Sequence, residues 1–117
     1  MSYGSMDGCN VRKKSMKTLD IVIVRIYVTE ASHLLNKIID YLKNDKISGV
    51  SVYRAIEGIG ESGNLTSSLL DFSLNLPICI EFFDFDKAKV EKTLDHLHKI
   101  INPGHIIFWE AKVIVKD

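Results

Sequence analysis

The sequence is poor in cysteine and has no surplus charge of either sign. Its two cysteines stand far apart, Cys9 in a polar opening segment and Cys79 inside an apolar run. That leaves no disulfide framework and no paired-thiol metal motif, and the expected setting is reducing and cytoplasmic. Fifteen basic residues are cancelled by fifteen acidic ones. A neutral chain has no general pull toward nucleic acid or an anionic membrane surface. The one basic cluster, VRKKSMK at residues 11–17, lies ahead of the first strand and reads as a solvated tail. No apolar run nears the ~20 residues needed to span a bilayer, and the opening residues lack the apolar h-region of a signal peptide. Partnership with nucleic acid and membrane insertion are therefore not expected.

What remains is a globular composition, 46% apolar and 26% charged, enough to build one core. Residues 1–18 have no periodicity and are expected to form a flexible tail, with one domain over residues 19–117. LDIVIVRIYVT, residues 19–29, is rich in β-branched residues and predicts a strand. Val22, Val24, Ile26 and Val28 point to one face; Ile21, Ile23, Arg25 and Tyr27 point to the other. Ser32 is placed to cap a helix carrying Leu34, Leu35, Ile38, Ile39 and Leu42 at helical spacing. That helix should run to about Asp45. A second strand is predicted over residues 50–60, a polar loop over residues 61–68, and a third strand within residues 69–85, strongest from Ile78 to Asp84. Pro77 cannot donate to a ladder and belongs at a strand start or an irregularity. Asp86 can cap a second helix, with Val90, Leu94, Leu97 and Ile101 forming one stripe until NPG at residues 102–104 stops it. A last strand follows over residues 106–115.

The order β-α-β-β-α-β predicts an α+β, ferredoxin-like fold: an antiparallel four-stranded sheet with two helices on one face. The other face would keep Ile21, Ile23 and Tyr27, too apolar for a wet surface. Another subunit is expected to cover it.

EGIGESG, residues 57–63, holds the spacing G-x-G-x-x-G through Gly58, Gly60 and Gly63. A dinucleotide fingerprint needs a helix directly after the glycines, whose N-terminus holds the pyrophosphate. ESGNLTSSLLDFS follows instead. It has no helical stripe and leads into another strand, so the glycines sit in a long hairpin. There Gly58 and Gly60 can permit positive φ or a bulge, or offer backbone N–H groups to phosphate.

GVSVYRAIEGIG at residues 49–60, a short polar loop, and LPICIEFFD at residues 76–84 together resemble the uncharacterised PII-like protein family, small ferredoxin-like relatives of the PII nitrogen-regulatory signalling proteins. The resemblance covers about residues 19–116. It implies a homotrimer whose three sheets line the centre. It implies that residues 61–68 correspond to the signalling loop that touches a partner protein. It also implies a small effector, often an adenine nucleotide, held in clefts between subunits. The matching positions are Glu57, Gly58 and Gly60 at the loop base, with Gly104 and His105 in the turn before the last strand. That turn is only NPGH, and the last strand offers only Lys112 and Lys116. The phosphate grip of true PII proteins is therefore largely absent, and no cofactor can be named.

Other chemistry is thinner. Arg54 can bind an anion at a subunit boundary, or pair with Glu57 or Glu81. His96 and His98 are two apart, about 200° around a helix, and cannot share one ion. Among Glu81, Asp84 and Asp86, Asp86 has a sufficient role as a cap, and Glu81 is a candidate for an inter-subunit ion pair. Of Phe108 and Trp109, one is expected in the core and the other at the subunit contact. No serine or cysteine stands beside a histidine in a nucleophile motif. VTEASH after the first strand lacks the arginine and glycine of an acylphosphatase loop. The reading is a trimeric regulator and not an enzyme. Its alternative is a divalent-metal-binding trimer of the copper-tolerance type, although no metal ligand can be named.

Overall fold

The computed structural model describes residues 16–59, 65–67 and 76–116. Most of the expected tail, Gly60, Gly63 and much of the expected 61–68 loop lie outside the described residues. The elements are β1 (Lys17–Thr29), a 3-10 turn (Glu30–Ser32), α1 (Leu35–Asn44), β2 (Gly49–Arg54), β3 (Glu57–Ile59), β4 (Leu65–Ser67), β5 (Pro77–Asp84), α2 (Lys87–Leu97) and β6 (Ile106–Lys116).

The main sheet is antiparallel with the order β2-β5-β1-β6. Its register sets Val24 opposite Phe82 and Phe108, and Ile26 opposite Ile80 and Ile106. Opposed residues share a face, so the alternation read from β1 propagates across the sheet. Val24, Ile26, Val28, Ile78, Ile80 and Phe82 are buried beneath Ile38 and Leu42 of α1 and Val90 and Leu97 of α2. Both helices therefore cover one face, as the ferredoxin-like pattern requires.

The helix ends show why each element stops. Asp86 caps α2 by accepting from the N–H groups of Ala88 (3.0 Å) and Lys89 (3.3 Å). α2 ends at Leu97, short of NPG, but the turns beyond it keep the stripe: Ile101 N–H donates to Leu97 O at 3.1 Å, and Ile101 is buried. α1 closes with Lys46 at a left-handed φ of 56° and Ile47 N–H donating to Leu42 O at 3.1 Å. Its start differs from expectation. Ser32 is not the N-cap; Leu34 is, with no side-chain cap. Ser32 belongs to the 3-10 turn, where its hydroxyl donates to Thr29 O (2.7 Å) and accepts from Leu34 N–H (3.3 Å).

The strands differ in three places. β1 begins at Lys17, two residues early, because its opening pairs with the far end of β6. The second predicted strand breaks at Ala55. Its last bond to β5 runs from Ala55 N–H to Pro77 O at 2.9 Å, and Pro77, the first residue of β5, has no N–H to extend the ladder. The chain then forms a separate ribbon, Glu57–Ile59 against Leu65–Ser67, so part of the expected loop is strand. Finally, neither Phe108 nor Trp109 enters the core. Both lie on edge strand β6, Trp109 on the face opposite the helices and Phe108 on the helix side but 62% exposed.

On the helix-free face, Tyr27, Tyr53, Ile107 and Trp109 are exposed, and Ile21 is buried without joining the core. Arg25 and Glu81 form an ion pair among them, at 2.6 Å, with the guanidinium 5.3 Å from the centre of the Trp109 ring. No described helix is long and apolar enough to cross a membrane.

Candidate functional site

β1 and β2 both run antiparallel to β5, so both end where β5 begins. That end of the sheet gathers the 3-10 turn, Arg54, the β3–β4 ribbon, Pro77 and the turn into β6. Glu30 is its hub. One carboxylate oxygen pairs with Arg54 at 2.5 Å, and the other accepts the N–H of Leu76 at 3.3 Å. Its own N–H donates to Leu76 O at 3.2 Å. Beside this pair lies an open depression of ≈ 240 Å³ lined by Glu30, His33, Leu35, Asn36, Arg54 and Ile78. His33 holds a left-handed φ of 57° there, a conformation a non-glycine residue adopts at some strain.

Arg54 thus pairs with Glu30 and not with Glu81. It stands opposite Ile78, on the helix side of the sheet, whereas Glu81 stands opposite Ser51 on the other side. Glu81 instead pairs within the chain with Arg25, which holds the guanidinium still further above its ordinary pKa through a hydrogen bond, aided by Tyr27. Gly58 needs no positive φ; the left-handed glycine among those described is Gly104, at 86°. Gly58 is required by proximity, because a Cβ there would lie 2.8 Å from Pro77 Cγ. Glu57 pairs with Ser67 in the small ribbon, and Gly60 lies outside the described residues.

Gly104 and His105 sit at the same end of the sheet but at its opposite edge. His105 N–H donates to Asn102 O (3.1 Å), and its carbonyl accepts the N–H of Tyr27 (2.9 Å). Strands β5 and β1 separate this turn from Arg54, a distance of three strand spacings or about 14 Å. The chain brings Arg54, Glu57 and Gly58 together, and Gly104 with His105, but keeps the two groups apart.

The remaining candidates disperse. Asp84 is buried on the helix side, Glu81 faces the other way, and Asp86 caps α2. Burial pushes the Cys79 thiol up, against the pull of Arg25, which disfavours a thiolate nucleophile. His96 stacks on Tyr41 with Nδ1 3.5 Å from Asp45, while His98 lies 3.3 Å from Leu94 O. Among the described residues no three His, Cys, Asp or Glu side chains are grouped to hold a metal. Glu30 and Asn36 were missed from sequence. They lie in or just after the VTEASH turn, and only the strand order places that turn beside Arg54.

A family model, DUF190 (uncharacterized ACR, COG1993), matches residues 16–113. The chain belongs to that family. The UPF0166 protein MJ1524 of Methanocaldococcus jannaschii is 32% identical over 97 residues, covering 78% of this chain and 89% of that relative. Two solved structures share the fold. A PII-like signaling protein from Thermus thermophilus has 18% identity and a TM-score of 0.60, covering 86% of this chain and 93% of its own. CPII, a nitrogen regulatory PII-like protein from Thiomonas intermedia bound to ADP, AMP and bicarbonate, has 14% identity and a TM-score of 0.59, covering 85% and 98%. The DUF190 chain thus has the ferredoxin-like fold read from its sequence, a fold it shares with these two PII-like structures.

Proposed function

We propose that this DUF190 protein is a cytoplasmic, non-enzymatic regulator: a homotrimer that senses a small effector in clefts between subunits and signals to a partner protein through residues 61–68. One observation carries the reading. The two groups of candidate residues occupy opposite edges of the sheet at the same end, while the helix-free face between them exposes Tyr27, Tyr53, Ile107 and Trp109 around the Arg25–Glu81 pair. A three-fold rotation keeps that end in place and sets one chain's β2 edge against the next chain's β6 edge. Arg54, Glu57 and Gly58 of one subunit would then face Gly104 and His105 of another, with Gly60 close to the first group in sequence.

Adenine nucleotides are the first effectors to test, because CPII is named with ADP and AMP bound. Binding would differ from that of true PII proteins. Lys112 is engaged by Asp20 at 2.7 Å and lies several residues down β6 from His105, toward the other end of the sheet. Arg54 and backbone N–H groups remain as the phosphate contacts. Native mass spectrometry of gently purified protein tests the reading. The expected mass is about 40 kDa, three times 13.2 kDa, with up to three added steps when ADP or ATP is present. A monomer at micromolar concentration would sink the inter-subunit clefts and the function built on them.

A further inference from the structure

The chain leaves the main sheet at Ala55 and returns at Pro77, and a single carboxylate touches both ends of that excursion. Glu30 meets Arg54 on the outgoing side and Leu76 on the returning side. The two contacts are unequal. Leu76 is 2% exposed, so its N–H has little water to turn to when Glu30 lets go. Arg54 has a side chain 61% exposed and lines the open depression with His33 and Asn36. The pair is open to solvent on the Arg54 side only, Glu30 being 23% exposed, and a guanidinium can donate its N–H groups to any planar or tetrahedral oxyanion that fits its fork. A ligand that enters the depression can therefore reach Arg54 from its open side and compete with Glu30 for it. Glu30, once freed, loses the charge that anchors it and turns to solvent, and its hold on Leu76 weakens.

We propose that Glu30 is a displaceable clasp: a small ligand bearing a phosphate or carboxylate group binds in the depression, takes Arg54 from Glu30, and so loosens the returning end of the excursion at Leu76. This rests on the regulator reading, which makes residues 61–68, within that excursion, the contact with a partner protein.

The test uses the full chain, isotope-labelled, titrated by NMR with inorganic phosphate and, separately, with acetate, against sodium chloride at equal ionic strength. Saturable shifts are expected at the Arg54 Nε–H, the His33 ring and the Asn36 amide, with amide exchange at Leu76 speeding up by roughly tenfold. A response to phosphate alone assigns a phosphate-bearing ligand, and one to acetate alone a carboxylate. Glu30→Gln keeps the shape but removes the competing charge, so phosphate should bind several-fold tighter. Arg54→Gln should abolish the phosphate response and speed exchange at Leu76 with no anion present. The clasp is overturned if neither anion shifts these groups beyond chloride, if binding leaves Leu76 exchange unchanged, or if Glu30→Gln does not tighten phosphate binding. Native mass separates the two readings. A monomer with an intact clasp response sinks the regulator reading alone; a trimer with an unresponsive Leu76 sinks the clasp alone.

Discussion

Asp84 shows how one side chain settles a structural role against a chemical one. It ends β5 at 2% exposure and accepts from Ser48 N–H (2.9 Å), Ser48 Oγ (2.9 Å), Asp86 N–H (2.8 Å) and Lys89 Nζ (3.3 Å). Burial pushes its carboxyl up, but the N–H groups of Asp86 and Ser48, the Ser48 hydroxyl and Lys89 together outweigh burial and hold it below the usual carboxylate value. A folded value below the unfolded one means the contribution is present above the unfolded pKa, about 3.9, and is lost as pH falls through the folded value. Asp84→Asn should therefore lower stability by about 1–3 kcal/mol at pH 7, and the gap from wild type should close in acid. Urea unfolding at pH 7 and pH 3 measures both. Equal stability at pH 7 would show that the four donors are not tied to the charge.

At the scale of elements, what the sequence disclosed depended on how local the cause was. Asp86 is a cap because its acceptor and donors lie within three residues, and the α2 stripe is carried by residues one helical turn apart. Ser32 looked equivalent, yet the chain needs a 3-10 turn to carry Glu30 to Leu76, and that turn uses the serine before α1 begins. The two positions should differ in measurement. Asp86→Ala should lower stability by about 1 kcal/mol, whereas Ser32→Ala, exposed and outside α1, should lower it by less than half as much. Thermal melts of both variants decide this, and equal losses would return Ser32 to the role of cap. The break in the second strand was illegible for a related reason. Nothing in VYRAIEGIG marks it; the cause is Pro77, on another strand. The candidate site divides along the same line. Arg54 and the glycines stood out by residue type, while Glu30 and Asn36 are ordinary turn and helix residues until β1 and β2 are known to end side by side.

At the scale of the whole molecule, the helix-free face contains an arrangement that a solvated surface does not need. Arg25 bonds Glu81 through Nε at 3.1 Å and a terminal nitrogen at 2.6 Å, and lies against Trp109. In an isolated chain this pair is wet and contributes little. In a trimer packed through these faces it is desolvated, and breaking it leaves a buried charge without its partner. The same substitution should therefore be nearly silent for folding and severe for assembly. Arg25→Glu sets two carboxylates side by side on the helix-free face. It should raise the protein concentration needed for trimer formation by at least roughly tenfold, while the thermal melt of the resulting monomer stays cooperative. Adding Glu81→Arg restores opposite charges across β1 and β5 at the same register position and should recover much of the trimer. Recovery would stay incomplete, because the cation over Trp109 is displaced to the neighbouring strand. Light scattering across a dilution series reads the three proteins on one scale. If Arg25→Glu assembles as wild type does, the face at Arg25 is not the one the subunits share, and the edges carrying Arg54 and His105 would have to meet in some other way.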